Sequence, residues 1–205
     1  MHIAIAGNIG AGKTTLTKKL ASHYGWEAFI ETVETNPYLK DFYEDMPRWS
    51  FHLQVFFLSS RFKQVVQIYN NPRNLIQDRS IYEDAYIFAN NLYVSGLMAP
   101  REYKNYLQLF ESMIQLVQPP HLLVYLRADL PKLLQQIGKR GRDYEANISV
   151  EYLQSLNQHY ENWISGYTAG ELLIIDVNNL DFVNNPGDMS FIISQVDQAI
   201  RTIPA

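Results

Sequence analysis

The chain has 205 residues, 47% of them hydrophobic, and a formal net charge of −4. That length supports one packed domain, and the composition excludes disorder. There is no cysteine, which excludes disulfides, thiolate metal sites and cysteine nucleophiles, and no long basic run of the kind that tracks a nucleic-acid polymer.

The first apolar run, residues 2–6, predicts a buried strand. Gly7-Asn8-Ile9-Gly10-Ala11-Gly12-Lys13-Thr14 follows and fits G-x-x-x-x-G-K-[ST] in full. An amphipathic helix is predicted directly after it, over 14–24. Glycines let the backbone curl until its N–H groups converge on phosphate oxygens, and the helix N-terminus adds its dipole. Gly7 through Thr15 are therefore candidate ATP-binding residues, with Lys13 spanning the β- and γ-phosphates and Thr14 a ligand to Mg²⁺. A guanine-reading Asn-Lys-x-Asp motif is missing; Asn178-Asn179-Leu180-Asp181 lacks the lysine, which disfavours a GTP-driven switch.

A second strand is predicted over 26–30, and Glu31 stands at its end. Ligand-facing residues gather at such carboxyl ends, and a carboxylate there can take a proton from an attacking hydroxyl. After Asn36-Pro37, a long helix over 49–69 carries Phe51, Val55, Leu58, Phe62 and Val65 at helical spacing. Gln54 and Arg61 are seven residues apart, so they share one side of it. Asn71-Pro72 separates this helix from a third strand over 74–77, closed by Asp78-Arg79-Ser80. Arg79 is placed to neutralise a transferring phosphoryl group or to orient the base. Asp78 is placed either to hold Mg²⁺ through water or to act as the base itself. Ser80 and Glu83 also fit an S-x-x-E capping box.

Helices over 81–92 and 101–117 come next, then Pro119-Pro120 and a fourth strand over 121–126. A helix over 130–138 leads into Lys139-Arg140-Gly141-Arg142, a mixture of charge and glycine suited to a lid that folds over phosphates and excludes water. The remaining elements are a helix over 150–165, a buried strand over 171–175, the breaker Asn185-Pro186-Gly187 and a helix over 189–200. Strands alternating with helices predict an α/β fold with a five-stranded, doubly wound parallel sheet. The expectation is one domain over 1–205 with a lid at about 138–146. No apolar run reaches membrane-spanning length. With the first strand starting at residue 2, no leader is expected, and the expected setting is the cytoplasm.

Taken together, these segments resemble the deoxynucleoside kinase family over residues 3–176. The phosphate loop is generic. More specific are Tyr43-Glu44-Asp45-Met46-Pro47-Arg48-Trp49-Ser50-Phe51-His52-Leu53-Gln54, the Ser60-Arg61 step, Asp78-Arg79-Ser80-Ile81-Tyr82-Glu83-Asp84, and Arg140-Gly141-Arg142-Asp143-Tyr144-Glu145. The resemblance implies a P-loop kinase fold with an arginine-bearing lid. It implies transfer of the γ-phosphate of ATP to the 5′-hydroxyl of a deoxynucleoside, with Mg²⁺, in a homodimer. Position by position it makes Glu31 the general base, Tyr43 and Glu145 the ligands of the sugar 3′-hydroxyl, and Gln54 the residue gripping the base edge. Arg61 and Asp84 become the pair tuning base choice, Arg79 the arginine of the reacting centre, and Arg140 and Arg142 the lid arginines. Two positions depart from the family pattern: Thr32 replaces a common proline, and Gln136 stands where an earlier lid arginine is frequent.

A glutamine amide pairs with any base by flipping, so Gln54 selects little. An ionised Asp84 accepts only, which favours an exocyclic amino group and disfavours thymine. Deoxyadenosine is the expected leading substrate, with deoxycytidine and deoxyguanosine as competitors. Two rivals share parts of this pattern: a nucleoside monophosphate kinase of the thymidylate kinase kind, and an ATP-binding regulatory protein without chemistry.

Overall fold

The computed structural model describes residues 1–30, 36–142, 145 and 148–203. Strand β1 (His2–Gly7) is buried throughout. Its alternation sends Ile3 and Ile5 into one apolar cluster and Ala4 and Ala6 into another, so helices must cover both faces. Helix α1 (Lys13–Tyr24) and the C-terminal helix α9 (Pro186–Thr202) meet the isoleucine face through Leu16, Leu20, Ile192 and Val196. Helix α8 (Val150–Ser165) meets the alanine face through Leu156 and Tyr160.

The described strands are β1, β2 (Glu27–Phe29), β3 (Leu75–Asp78), β4 (Leu122–Arg127) and β5 (Glu171–Asp176). All pair in parallel, in the order β2-β3-β1-β4-β5. Parallel pairing brings every carboxyl end to one side, and the registers Ile5 to Asp78 and Gly7 to Leu126 set β3 and β4 beside the start of the phosphate loop. No helix among the described residues is long and apolar enough to cross a membrane.

A helical layer packs beyond the alanine face. Helix α2 (Leu39–Glu44) and α3 (Met46–Tyr69) precede β3. After β3 the chain forms α4 (Ile81–Glu83), a π-helical stretch (Asp84–Ala89), α5 (Asn90–Val94) and α6 (Pro100–Ile114). These segments share a cluster that includes Phe42, Leu53, Leu58, Ile81, Leu92, Tyr106 and Phe110. Helix α7 (Leu130–Arg140) follows β4.

Several sequence expectations need correction. Strands β2 and β5 were expected to be buried; both are edges of the sheet, with Glu27, Ala28 and Ile174 exposed, because no strand among the described residues pairs beyond them. Helix α2 was not expected, and α3 begins at Met46, where Asp45 caps it by accepting from Arg48 N–H and Pro47 sits in the first turn. The helix expected over 81–92 is broken by the π-helical stretch and runs on to Val94. Helix α6 stops at Ile114, short of residue 117. Pro186, read as a breaker, is instead the first-turn proline of α9, a position where its missing N–H costs nothing. Helix α7 does not stop at Gly138. A mid-helix glycine costs only about 1 kcal/mol against alanine, and the helix ends at Gly141, whose φ of 63° makes the left-handed cap. Lys139 and Arg140 thus form the last turn of α7.

Candidate active site

The phosphate loop bridges β1 and α1. Gly10 and Gly12 have φ of 89° and 95°. A Cβ on Gly10 would stand 2.8 Å from the Leu133 carbonyl, and one on Gly12 would stand 2.7 Å from the Phe182 ring, so only glycine fits either place. Lys13 is buried, and its Nζ donates to the Asn8 carbonyl at 3.0 Å, across the loop. Asn8 fixes the loop to α8: its Nδ2 donates to the Leu153 carbonyl and to Asn157 Oδ1. Ala11 lies within the isoleucine-face core, and Ile9 and Thr14 reach the neighbouring cavity.

Asp78 ends β3 beside this loop. Its Oδ2 accepts from Thr14 Oγ1 at 2.5 Å, while Oδ1 is buried with no hydrogen-bond partner among the described residues. Two adjacent oxygens, one with open lone pairs, suit a hard divalent cation. Arg79 follows with φ of 67°, and its guanidinium lies 4.2 Å from the Phe88 ring centroid. Ser80 and Glu83 form the expected capping box.

A cavity of about 340 Å³ opens at the carboxyl ends of the strands. It brings together Lys13, Thr14, Tyr43, Gln54, Arg79, Asp84, Arg140, Arg142 and Glu145, from the start of α1, α2, α3, the turn after β3, the π-helical stretch, the end of α7 and the segment after it. Gln54 and Arg61 do share one stripe of α3, with Leu58, Val65 and Ile68 between and beyond them, and all five are buried. Gln54 Oε1 has no partner among the described residues. Arg61 stands behind the cavity wall: its Nε donates to Asp84 Oδ2 at 3.2 Å, and its Nη1 donates to the Asp78 carbonyl and to Gln64. Gln64 in turn donates to the carbonyl of Ile30, the residue before Glu31. Burial, then the Asp84 charge, pushes the Tyr106 phenol well above its usual range, which sets α6 against the same pair. Glu31 itself lies outside the described residues.

Arg140 and Arg142 converge on one carboxylate. Arg140 Nη2 meets Glu145 Oε1 at 2.5 Å, and Arg142 Nη1 lies 3.5 Å from the same oxygen. Glu145 is buried, whereas about a third of each arginine side chain is exposed.

Sequence reasoning missed several wall residues. Phe42, Phe88 and Tyr152 line the cavity, yet aromatics at helical spacing read as ordinary core. Phe57 of α3 is on the wall as well, whereas Trp49, Phe56 and Phe62 of the same helix are not. A larger opening, about 470 Å³, lies at the other end of the sheet around His2, Arg73 and His121, away from the phosphate loop.

Comparison with known proteins bears on the whole arrangement. The deoxynucleoside kinase family model matches residues 3–201. A deoxyadenosine/deoxycytidine kinase of Bacillus subtilis is 42% identical, over 97% of this chain and 93% of its own. A structure of deoxyadenosine kinase from M. mycoides, with products dCMP and a flexible dCDP bound, superposes with TM-score 0.86 at 31% identity, covering 97% of this chain and 100% of that one. The same enzyme with bound dATP gives TM-score 0.85 at 30% identity, covering 96% and 100%.

Proposed function

Since the chain belongs to the deoxynucleoside kinase family, we propose that it carries the γ-phosphate of ATP to the 5′-hydroxyl of deoxyadenosine before other deoxynucleosides. The activity class, an ATP-dependent phosphotransferase acting on a deoxynucleoside, comes with family membership, and with it the monophosphate kinase and regulatory readings fall away. Deoxycytidine and deoxyguanosine are the competitors, and thymidine is a poor substrate.

The observation carrying the base preference is Asp84 on the cavity wall, with Arg61 behind it at 3.2 Å and the open acceptor of Gln54 in the same cavity. Acceptors facing a base favour an exocyclic amino group. The bacterial relatives named for deoxyadenosine and deoxycytidine, and the dCMP and dATP of the neighbouring structures, support this reading.

In the proposed reaction Lys13 and the loop N–H groups hold the triphosphate. The 5′-oxygen attacks the γ-phosphorus in line, its proton passes to the Glu31 carboxylate, and the bond to the bridging oxygen breaks to release ADP. Arg79, Arg140 and Arg142 balance charge on the transferring group, while Tyr43 and Glu145 hold the 3′-hydroxyl. Thr14 and Asp78 would hold Mg²⁺, which neutralises phosphate charge when bound. The setting is nucleotide salvage in the cytoplasm, by a homodimer. Exposed Tyr86, Tyr93 and Leu109 on the α5 and α6 side support that assembly, because an aromatic surface of this kind suits a partner.

The deciding assay is radiolabelled ATP against a panel of nucleosides and nucleotides. Deoxyadenosine should give the highest kcat/KM. Glu31→Gln should lower kcat roughly 10²–10⁴-fold with nucleoside binding little changed. Near-parental turnover in that variant would move the base to Asp78.

A further inference from the structure

Glu83 has no part in the reaction as set out above, yet it is completely buried, four residues beyond Arg79. Four donors converge on its carboxylate. Oε2 accepts from the Ser80 N–H at 2.7 Å and the Ser80 hydroxyl at 3.1 Å. Oε1 accepts from the Gly7 N–H at 3.3 Å and the Tyr160 hydroxyl at 2.8 Å. The Ser80 contacts belong to the capping box. The other two come from β1 and α8, 76 and 77 positions away, and starting a helix requires neither.

The two backbone groups held this way flank the phosphate site. Gly7 opens the phosphate loop, and Ser80 follows Arg79. Arg79 is the one described non-glycine residue with positive φ, a strained conformation that persists only where its neighbours are fixed. Its own N–H donates to the Ile5 carbonyl at 3.0 Å, and the next N–H goes to Glu83. The turn aims the guanidinium over Phe88 and into the cavity.

Every contact donates to Glu83, which suits an acceptor-only carboxylate with about four lone-pair sites. An amide would set two N–H groups against donors. The Tyr160 phenol is held well above its usual range by burial and then by the Glu83 charge, so it stays a donor. We infer that Glu83 is a positioning residue for phosphoryl transfer, tying the phosphate loop at Gly7 to the Arg79 turn at Ser80. The inference rests on the reading of Arg79 as a group of the reacting centre.

The test uses the full chain with Glu83→Gln, Tyr160→Phe and Arg79→Ala. Steady-state kinetics are normalised to nucleoside-binding sites counted by calorimetry, so lost folding does not register as lost rate. Glu83→Gln should lower kcat at least about tenfold, because displacements well under 1 Å disturb an in-line geometry, with both KM values within about threefold. Tyr160→Phe removes one donor and keeps the carboxylate; it should lower kcat about threefold, and it carries the test if Glu83→Gln does not fold. Parental kcat per binding site in the variants that fold overturns the inference. Parental kcat in Arg79→Ala overturns the Arg79 reading instead, and loss there with parental kcat in Glu83→Gln overturns the positioning role alone.

Discussion

Two arginine–carboxylate groupings face the same cavity at different depths. Arg61 and Asp84 are 2% and 3% exposed in their side chains, and each is fixed on a helical element. Arg140 is 35% exposed at the last turn of α7, where it shares the buried Glu145 with Arg142. Depth decides what each grouping can do. A buried pair cannot lose one member without stranding a charge, so it contributes shape and selectivity more than stability. A half-exposed arginine is partly solvated already and can exchange one anion for another at small cost. The inner pair is built to stay and the outer set to change partners, which suits the base reading and phosphate clamping proposed for them.

The largest expected effect tests the inner pair. Asp84→Ala leaves Arg61 buried beside an apolar gap, at about 3–5 kcal/mol, so kcat/KM should fall roughly 10²–10³-fold on every deoxynucleoside. A variant that loses activity on one base only would show that the Asp78 carbonyl and Gln64, which Arg61 also bonds, hold it without Asp84. Next come Arg140→Ala and Arg142→Ala. Each should lower kcat about 10–100-fold while nucleoside affinity, read by calorimetry, moves little. Equal losses of affinity and rate would make the outer set as structural as the inner one.

A subtler effect follows from removing both inner charges. Arg61→Met with Asp84→Ala leaves an apolar wall against which Gln54 can flip its amide toward thymine. The ratio of kcat/KM for thymidine over deoxyadenosine should rise at least about tenfold, since one polar contact is worth roughly 1–3 kcal/mol. An unchanged ranking of the four deoxynucleosides would remove Arg61 and Asp84 from base reading. The smallest effect concerns the sugar. Tyr43→Phe and Glu145→Gln should each narrow discrimination against a 2′,3′-dideoxynucleoside by several-fold, because the proposed contact to the 3′-hydroxyl is what an analogue lacking it forfeits. A parental enzyme that accepts dideoxynucleosides equally well would free Glu145 from the sugar and leave it to the lid arginines alone.

The same division explains what could be read from residue order. The phosphate loop is one contiguous stretch between a strand and a helix, so its eight positions announce themselves. Gln54 and Arg61 were legible because two polar residues on an otherwise apolar helical stripe demand a reason. Asp84 became legible through family resemblance, since its partner lies 23 positions earlier on another helix. The π-helical stretch was not legible: it shifts the helical period over six residues, too few to register against α4 and α5 on either side. Glu83 showed only as a cap, because the Gly7 and Tyr160 contacts are long-range. The exposed edges β2 and β5 could not be foreseen, since strand order is a property of the sheet and not of any one strand.

Ala4 and Ala6 of β1 lie in one cluster with Ile87 and Phe88 of the π-helical stretch. Their methyl groups are therefore spacers between the strand that launches the phosphate loop and the segment that carries Asp84 and Phe88. A bulkier residue at either place would lift that segment away from the sheet, since close-packed interiors transmit such changes. The room between the start of the phosphate loop and the Asp84 segment thus depends on two of the smallest side chains in the core, neither of which lines the cavity.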